Sequence, residues 1–271
     1  MNKFYKNIKK NVLRYFSLVR ILSNWWVHLG IKFGLTAAEP VLFRTRRGIL
    51  IEAPRELLVD FREIFMSESY RRGMAFTLGE NPVVLDIGAN VGFFTLYILS
   101  RLQGARVICY EPLAANFRQL ERNLQINSGY HVTCFQKAVA GRSGDLNLHY
   151  DSSNEYTTTA SIHRDKKGNT ETITVAAVSL PDVFEENGLK RCDLLKMDCE
   201  GAEYEILYNC PREIMDRIGN IVLEVHNVPG RNNINSLKGY LSEMGFAIQR
   251  SPIHRNSAIS EMLLARRQQA A

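Results

Sequence analysis

The stretch VVLDIGANVGFFTL at residues 83–96 constrains this chain more than any other. Its first five residues predict a short buried strand, with Asp86 at the strand end. Gly88, Asn90 and Gly92 follow in a tight loop, and a helix begins just beyond it. Glycine lacks a Cβ, so the backbone can turn sharply here and come close to a ligand. Strand, glycine-permissive loop and helix in that order predict a doubly wound α/β domain. Its mostly parallel sheet would bind ligands at the carboxyl edge, where the chain order reverses. With 271 residues and 45% hydrophobic content the chain can bury a full core, counted most simply as one large domain plus an N-terminal extension.

The alternation continues downstream. RVICY (106–110) reads as a strand ending at Glu111-Pro112, followed by a helix over 114–125 and a strand over 131–138. Residues 181–187 predict a helix, 193–197 a strand ending at Asp198, and a further helix starts at Ala202. IVLEV (221–225) is a strand ending at His226, and a last helix over 236–244 stops at Gly245. FAIQR and AISEMLLARR then form an antiparallel pair that closes the sheet. The Ser-, Thr-, Asn- and Gly-rich segment 141–171 exceeds an ordinary connection, and is expected as a flap over the site or a small added hairpin. Upstream, VLFRTRRGILIEA (41–53) reads as a hairpin turning at Arg47-Gly48, and Glu56–Met66 as a helix. Tyr70, Arg71 and Arg72 are placed to cover the pocket. The chain divides into a basic amphipathic extension (1–40), a hairpin and helix packing on the core (41–81) and the main domain (82–271).

Chemistry concentrates at two strand ends. Asp86 can accept from a cationic amine or fix the loop, and Glu111, twenty-five residues on, can accept both hydroxyls of a ribose. The loop is D-x-G-x-N-x-G rather than G-x-G-x-x-G. Asn90 and the acid stand where a pyrophosphate would approach a helix N-terminus. S-adenosylmethionine has no phosphate and carries a sulfonium, which suits an acidic loop better than a dinucleotide does. Cofactor-binding candidates are Asp86, Gly88, Asn90, Gly92 and Glu111, with Asn116 and Ala138 for the adenine pocket and Asp198 at the neighbouring strand end.

The second cluster is KMDCEGAEYEIL followed by Glu224 and His226. Asp198 and Glu200 precede a helix at the sheet's carboxyl edge, whereas Glu203 is explained as an acid in a first helical turn. Strand alternation puts Glu224 and His226 on one face. His226 can take a proton from an attacking hydroxyl, oriented by Glu224, with Asp198 and Glu200 as further catalytic candidates. A divalent metal on Asp198, Glu224 and His226 is the rival reading, and a structural His226 is the bland one. Methyl transfer needs little more than alignment, because the sulfonium is already activated; a base matters when the acceptor is an alcohol.

Five scattered cysteines without a CxxC pair read as reduced thiols, which points to the cytoplasm. There is no apolar run long enough for a spanning helix and no signal-peptide pattern. In residues 1–40, Phe4, Ile8, Val12, Phe16 and Val19 recur at helical spacing beside Lys3, Lys6, Lys9, Lys10, Arg14 and Arg20. Two readings stay open: a peripheral helix at the inner membrane surface, or an appendage packed on the domain or on a second subunit in a homo-oligomer.

The chain resembles the FkbM-type S-adenosylmethionine-dependent methyltransferases. VVLDIGANVGFFTL is similar to the family's first motif and VICYEPLAANFRQLERNLQIN to its ribose-acid strand and helix. LLKMDCEGAEYEIL, an aspartate followed by Glu-Gly-Ala-Glu, is the more specific match, and IVLEVHN and LLARR fit the same pattern. The resemblance spans roughly residues 41–266. It implies a Rossmann-like methyltransferase fold, with a seven-stranded sheet, and O-methylation of a hydroxyl on a small molecule or saccharide. It places Asp86, Gly88 and Glu111 at the cofactor and Asp198, Glu200 and His226 near the acceptor, and leaves residues 1–40 unexplained. A nucleic acid acceptor is disfavoured by the lack of an NPPY-like tetrad or a paired-cysteine site. A protein acceptor, and a non-catalytic binder with the same fold, stay open beside O-methylation.

Overall fold

The computed structural model describes residues 14–67, Tyr70, and residues 78–163, 169–226, 233–250 and 260–268. Residues 14–21 are helical (α1), and Trp26–Lys32 form α2. Leu18, Ile21 and Leu22 turn inward while Phe16 and Val19 are exposed. The stripe predicted from helical spacing is therefore the outward face where it can be followed; Phe4, Ile8 and Val12 lie outside the described residues. Two strands, β1 (Val41–Arg44) and β2 (Leu50–Ala53), form the expected antiparallel hairpin, with Gly48 at φ 91° in its turn. Backbone groups of Leu50 and Glu52 bond to the side-chain amides of Asn127 and Asn123, which stitches the hairpin to the main domain. The helix expected over Glu56–Met66 is split into a 3₁₀ turn (Arg55–Leu57), α3 (Leu58–Phe61) and a π turn (Arg62–Met66). Phe61 is sandwiched there between Phe43 (4.1 Å between ring centroids) and Phe65 (5.0 Å), with its edge to Phe93.

The main domain runs β3 (Val83–Ile87), α4 (Phe93–Leu99), β4 (Arg106–Tyr110), α5 (Ala114–Gln125), β5 (Val132–Phe135), β6 (Ala138–Ala140), β7 (Gly144–Tyr150) and β8 (Glu171–Ser179). It continues with α6 (Leu180–Glu186), β9 (Leu194–Met197), α7 (Glu203–Tyr208), α8 (Arg212–Met215), β10 (Asn220–His226), α9 (Ile234–Glu243), β11 (Phe246–Arg250) and β12 (Ser260–Arg267). The fold is α/β and Rossmann-like. Seven strands form one sheet in the order β11-β12-β10-β9-β3-β4-β5, parallel except that β12 runs antiparallel to both neighbours. The chain leaves β3 toward β4 and β5 and returns to β9 on the other side, so the switch point lies between β3 and β9. Both faces are covered, as a parallel sheet requires. Val84, Val107 and Leu194 pack with α4 and the N-terminal unit, while Leu85, Ile108 and Leu195 pack with α6, α7 and α9.

The single strand expected over 131–138 is two. β5 joins the main sheet, whereas β6 pairs with β8 in a separate sheet ordered β6-β8-β7. Segment 141–171 supplies β7, antiparallel to β8, so it contains the added hairpin, and the loop between these strands returns over the carboxyl edge of the main sheet. All five cysteines are free. Among the described residues no helix is long and apolar enough to cross a membrane.

Candidate functional site

The carboxyl ends of β3, β4, β9 and β10 border a cavity of about 710 Å³, within the roughly 300–1,000 Å³ of small-molecule sites. Its floor begins with the loop after β3. Gly88 has φ 72°, and a Cβ there would sit 2.0 Å from the Asp198 carbonyl oxygen, so only glycine fits between the two strand ends. Asn90 also takes a positive φ of 52°. Its amide N–H donates to Glu111 Oε2 at 2.8 Å, and the Leu113 N–H donates to Oε1 at 3.0 Å. Glu111 is 5% exposed and lines the cavity. Burial pushes its pKa up to about 7, although those N–H groups and the Lys196 charge oppose the shift. Asn116 Nδ2 donates to the Thr157 carbonyl at 2.8 Å, while its buried Oδ1 has no hydrogen-bond partner among the described residues. Ala138 completes this wall.

Two cofactor candidates lie elsewhere. Asp86 is fully buried beneath the loop and does not line the cavity. Its carboxylate accepts from Thr95 Oγ1 at 2.7 Å and pairs with Lys196 Nζ at 3.1 Å. Lys196, its register partner on β9, donates to the Gly88 carbonyl at 2.6 Å and contacts the Ile87 carbonyl at 3.3 Å. The acid thus acts on the loop through a lysine, rather than by touching a ligand's amine or the loop N–H groups. Gly92 also lies off the cavity; it starts α4 at φ 88°, where a Cβ would stand 2.6 Å from Leu120 Cδ1. Motif spacing gives Lys196 no role. The signal that could have found it is a cation inside the apolar run LLKM, because a charge in a central strand must be paired.

The acidic cluster is organised by Glu203. This fully buried carboxylate accepts from the N–H groups of Cys199 (2.9 Å) and Gly201 (3.0 Å) and meets His226 Nδ1 at 3.1 Å. Glu203 is therefore the orienting partner of the ring, the role expected of Glu224, and its place in a first helical turn does not exhaust its function. Nε2 of His226 lies 3.1 Å from Glu200 and 3.7 Å from Glu224. Burial alone would lower the histidine's pKa, but the Glu203 hydrogen bond and the charges of Glu203, Glu200 and Asp198 outweigh it, and the pKa rises to about 9. Both ring nitrogens face carboxylates, which favours the protonated ring, and the ring does not line the cavity. Asp198, Glu200 and Glu224 do line the cavity.

The donor atoms of Asp198, Glu200 and His226 lie within 4.8 Å of one another. This trio, rather than Asp198, Glu224 and His226, is the set that could surround a metal ion. Over the cavity, Thr157 is tied to Asn90 and Asn116, and Ser161 Oγ donates to the Glu200 carbonyl at 2.6 Å. Tyr70 lines the rim as expected, while Arg71 and Arg72 lie outside the described residues. Arg14, Ser17 and Arg20 of α1 also border the cavity, which no spacing in the sequence indicates.

A family model described as the methyltransferase FkbM domain matches residues 86–248. The chain is 30% identical over 236 residues to methyltransferase sdnD of Sordaria araneosa, covering 77% of this chain and 89% of that protein. It is 26% identical over 238 residues to the 31-O-demethyl-FK506 methyltransferase FkbM of Streptomyces tacrolimicus, covering 76% and 88%. It is 29% identical over 181 residues to the 2-O-methyltransferase NoeI of Sinorhizobium fredii, covering 60% and 72%. The crystal structure of methyltransferase FkbM from Methylobacillus flagellatus superposes with a TM-score of 0.52 at 14% identity, over 78% of this chain and 54% of that one, a likeness of fold.

Proposed function

The chain belongs to the FkbM methyltransferase family, and from that premise we propose that it transfers a methyl group from S-adenosylmethionine to a hydroxyl oxygen of a small molecule or saccharide. One observation carries the reading: Glu111, the positive-φ loop 88–90 and the carboxylates Asp198 and Glu200 all face a single cavity. Glu111 retains acceptor capacity beyond its two backbone bonds, so it suits vicinal ribose hydroxyls. The unpartnered Asn116 Oδ1 suits a donor such as an adenine amine. S-adenosylmethionine, when bound, supplies a methyl group already activated on sulfur.

The protein's part is alignment and proton removal. Lys196 holds the loop carbonyl at Gly88, and Asp86 holds Lys196. Across the cavity, Asp198 and Glu200 take the acceptor's hydroxyl proton, and the His226 cation fixes Glu200. Relatives named as a 31-O-demethyl-FK506 methyltransferase and a 2-O-methyltransferase support an oxygen acceptor. Calorimetry with S-adenosylhomocysteine tests the reading: uptake by the native chain and weaker uptake by Glu111→Gln are expected, and no uptake by the native chain refutes it.

A divalent cation is the second reading, supported by the Asp198, Glu200 and His226 trio. Glu203 behind Nδ1 matches the outer carboxylate that commonly orients a metal-bound imidazole. Such an ion would lower the pKa of an acceptor hydroxyl. A rise in melting temperature with Mn²⁺ or Mg²⁺, absent in Glu200→Gln, supports it; indifference to both ions removes it.

A further inference from the structure

The positive charge of this chain sits at one end. The first fifty residues hold ten Lys and Arg against one acid, Glu39, while the rest holds 24 against 27. Apolar exposure sits at the same end. Among the described residues ten large apolar side chains are exposed, and seven of them lie between Phe16 and Val59. Phe16 (65% exposed) and Val19 stand three residues apart on the outer face of α1. Trp26 (57%) and Phe33 (67%) stand two turns apart along α2, and Leu35 (80%) follows in the next loop. These side chains stand largely outside the core; Trp26 meets only the Trp25 ring and Phe33 the Lys32 ammonium among the ring contacts of the described residues. The inner faces of the two helices are already occupied by Leu18, Ile21, Leu22 and His28, and the helices meet through Lys32 Nζ, 2.7 Å from the Tyr15 hydroxyl. Exposed Lys32, Arg44, Arg46 and Arg47 lie in the same segment.

We propose that this N-terminal face docks on the surface of an anionic lipid bilayer. Outward aromatic and aliphatic side chains among cations are the signature of an interfacial helix. Phosphate attraction alone, as for nucleic acid, gives no reason for exposed Val19 and Leu35. A second copy of the same cationic segment would repel it. Because Arg14, Phe16, Ser17 and Arg20 also border the cavity, docking brings the cavity mouth to the lipid plane. The acceptor class that follows is an amphiphile whose hydroxyl-bearing head stands at the membrane surface; this last step rests on the methyl-transfer reading, whereas the docking does not.

The test is sedimentation of the full chain with vesicles of phosphatidylcholine containing about a third phosphatidylglycerol, alongside pure phosphatidylcholine. Binding to the anionic vesicles is expected, with a loss of at least about tenfold in pure phosphatidylcholine or in about 0.5 M salt. Trp26→Ser with Phe33→Ser is expected to weaken partitioning by about tenfold or more. Both positions are exposed, so the melting temperature and S-adenosylhomocysteine uptake should be unchanged; replacing Lys3, Lys6, Lys9 and Lys10 by Gln gives a second, purely electrostatic variant. Absence of binding to anionic vesicles overturns the proposal. So does unchanged partitioning of both variants, a native dimer that the double variant splits, or tighter salt-sensitive binding to RNA or DNA than to vesicles. Cofactor uptake without vesicle binding would sink the docking alone and leave the methyl-transfer reading standing.

Discussion

Replacing Lys196 by Met should destabilise the protein more than its loss of one surface-type charge would suggest. Asp86 and Lys196 face each other across β3 and β9, with side chains 0% and 4% exposed and 3.1 Å between Oδ1 and Nζ. Met retains most of the Lys volume, so the cavity term is small. What remains is an aspartate enclosed by the sheet, with one hydroxyl donor from Thr95, and a Gly88 carbonyl that has lost its 2.6 Å donor. Breaking one side of a buried pair costs about 3–5 kcal/mol, because the surviving charge is left uncompensated. The double variant Asp86→Asn with Lys196→Met removes both charges and should be more stable than Lys196→Met alone. The cycle should therefore show a coupling of about 1–3 kcal/mol. Urea denaturation of the native chain, both single variants and the double variant measures all four corners. A cost below about 1 kcal/mol for Lys196→Met, or strictly additive singles, would show that the pair does not carry the electrostatics argued for it.

Three further outcomes follow from the site. His226 is held at about 9, above its ordinary 6.5, so the folded state binds this proton more tightly than the unfolded one. Its stabilisation is complete below pH 6.5 and is lost as pH rises through 9, at roughly 1.4 kcal/mol per unit and about 3 kcal/mol in all. Urea titrations in chelator should show the native chain losing that lead over His226→Gln between pH 6 and 10; parallel curves would contradict it. Burial holds Glu111 near 7, so its carboxylate form grows through neutrality. Affinity for S-adenosylhomocysteine should climb with pH to about 8, and that climb should vanish in Glu111→Gln, as isothermal titration would show. Gly88→Ala would force a methyl to 2.0 Å from the Asp198 carbonyl at a φ of 72°. Loss of cofactor uptake and a destabilisation of about 1–3 kcal/mol are expected, and retained uptake would mean that the two strand ends can part.

Much of the architecture is legible without coordinates because local spacing reports local structure. Short apolar runs that end at a polar or acidic residue mark β3, β4, β9 and β10, and the 114–125 helix coincides with its predicted range. Glu111 can be found because an acid closing the second strand lies next to the loop closing the first, a relation that adjacent parallel strands impose. Periodicity also has limits: it predicts an apolar face on α1 but not which face the domain buries, and Phe16 and Val19 turn out to stand on the outer side. The charged pairs are beyond it altogether. Lys196 answers Asp86 from 110 residues away, and His226 leans on Glu203 rather than on Glu224 two residues before it. Pairing of that kind depends on strand order and on the path of the 198–203 turn. A buried charge is satisfied by whichever group the assembled sheet brings within reach, and separation along the chain does not encode that distance.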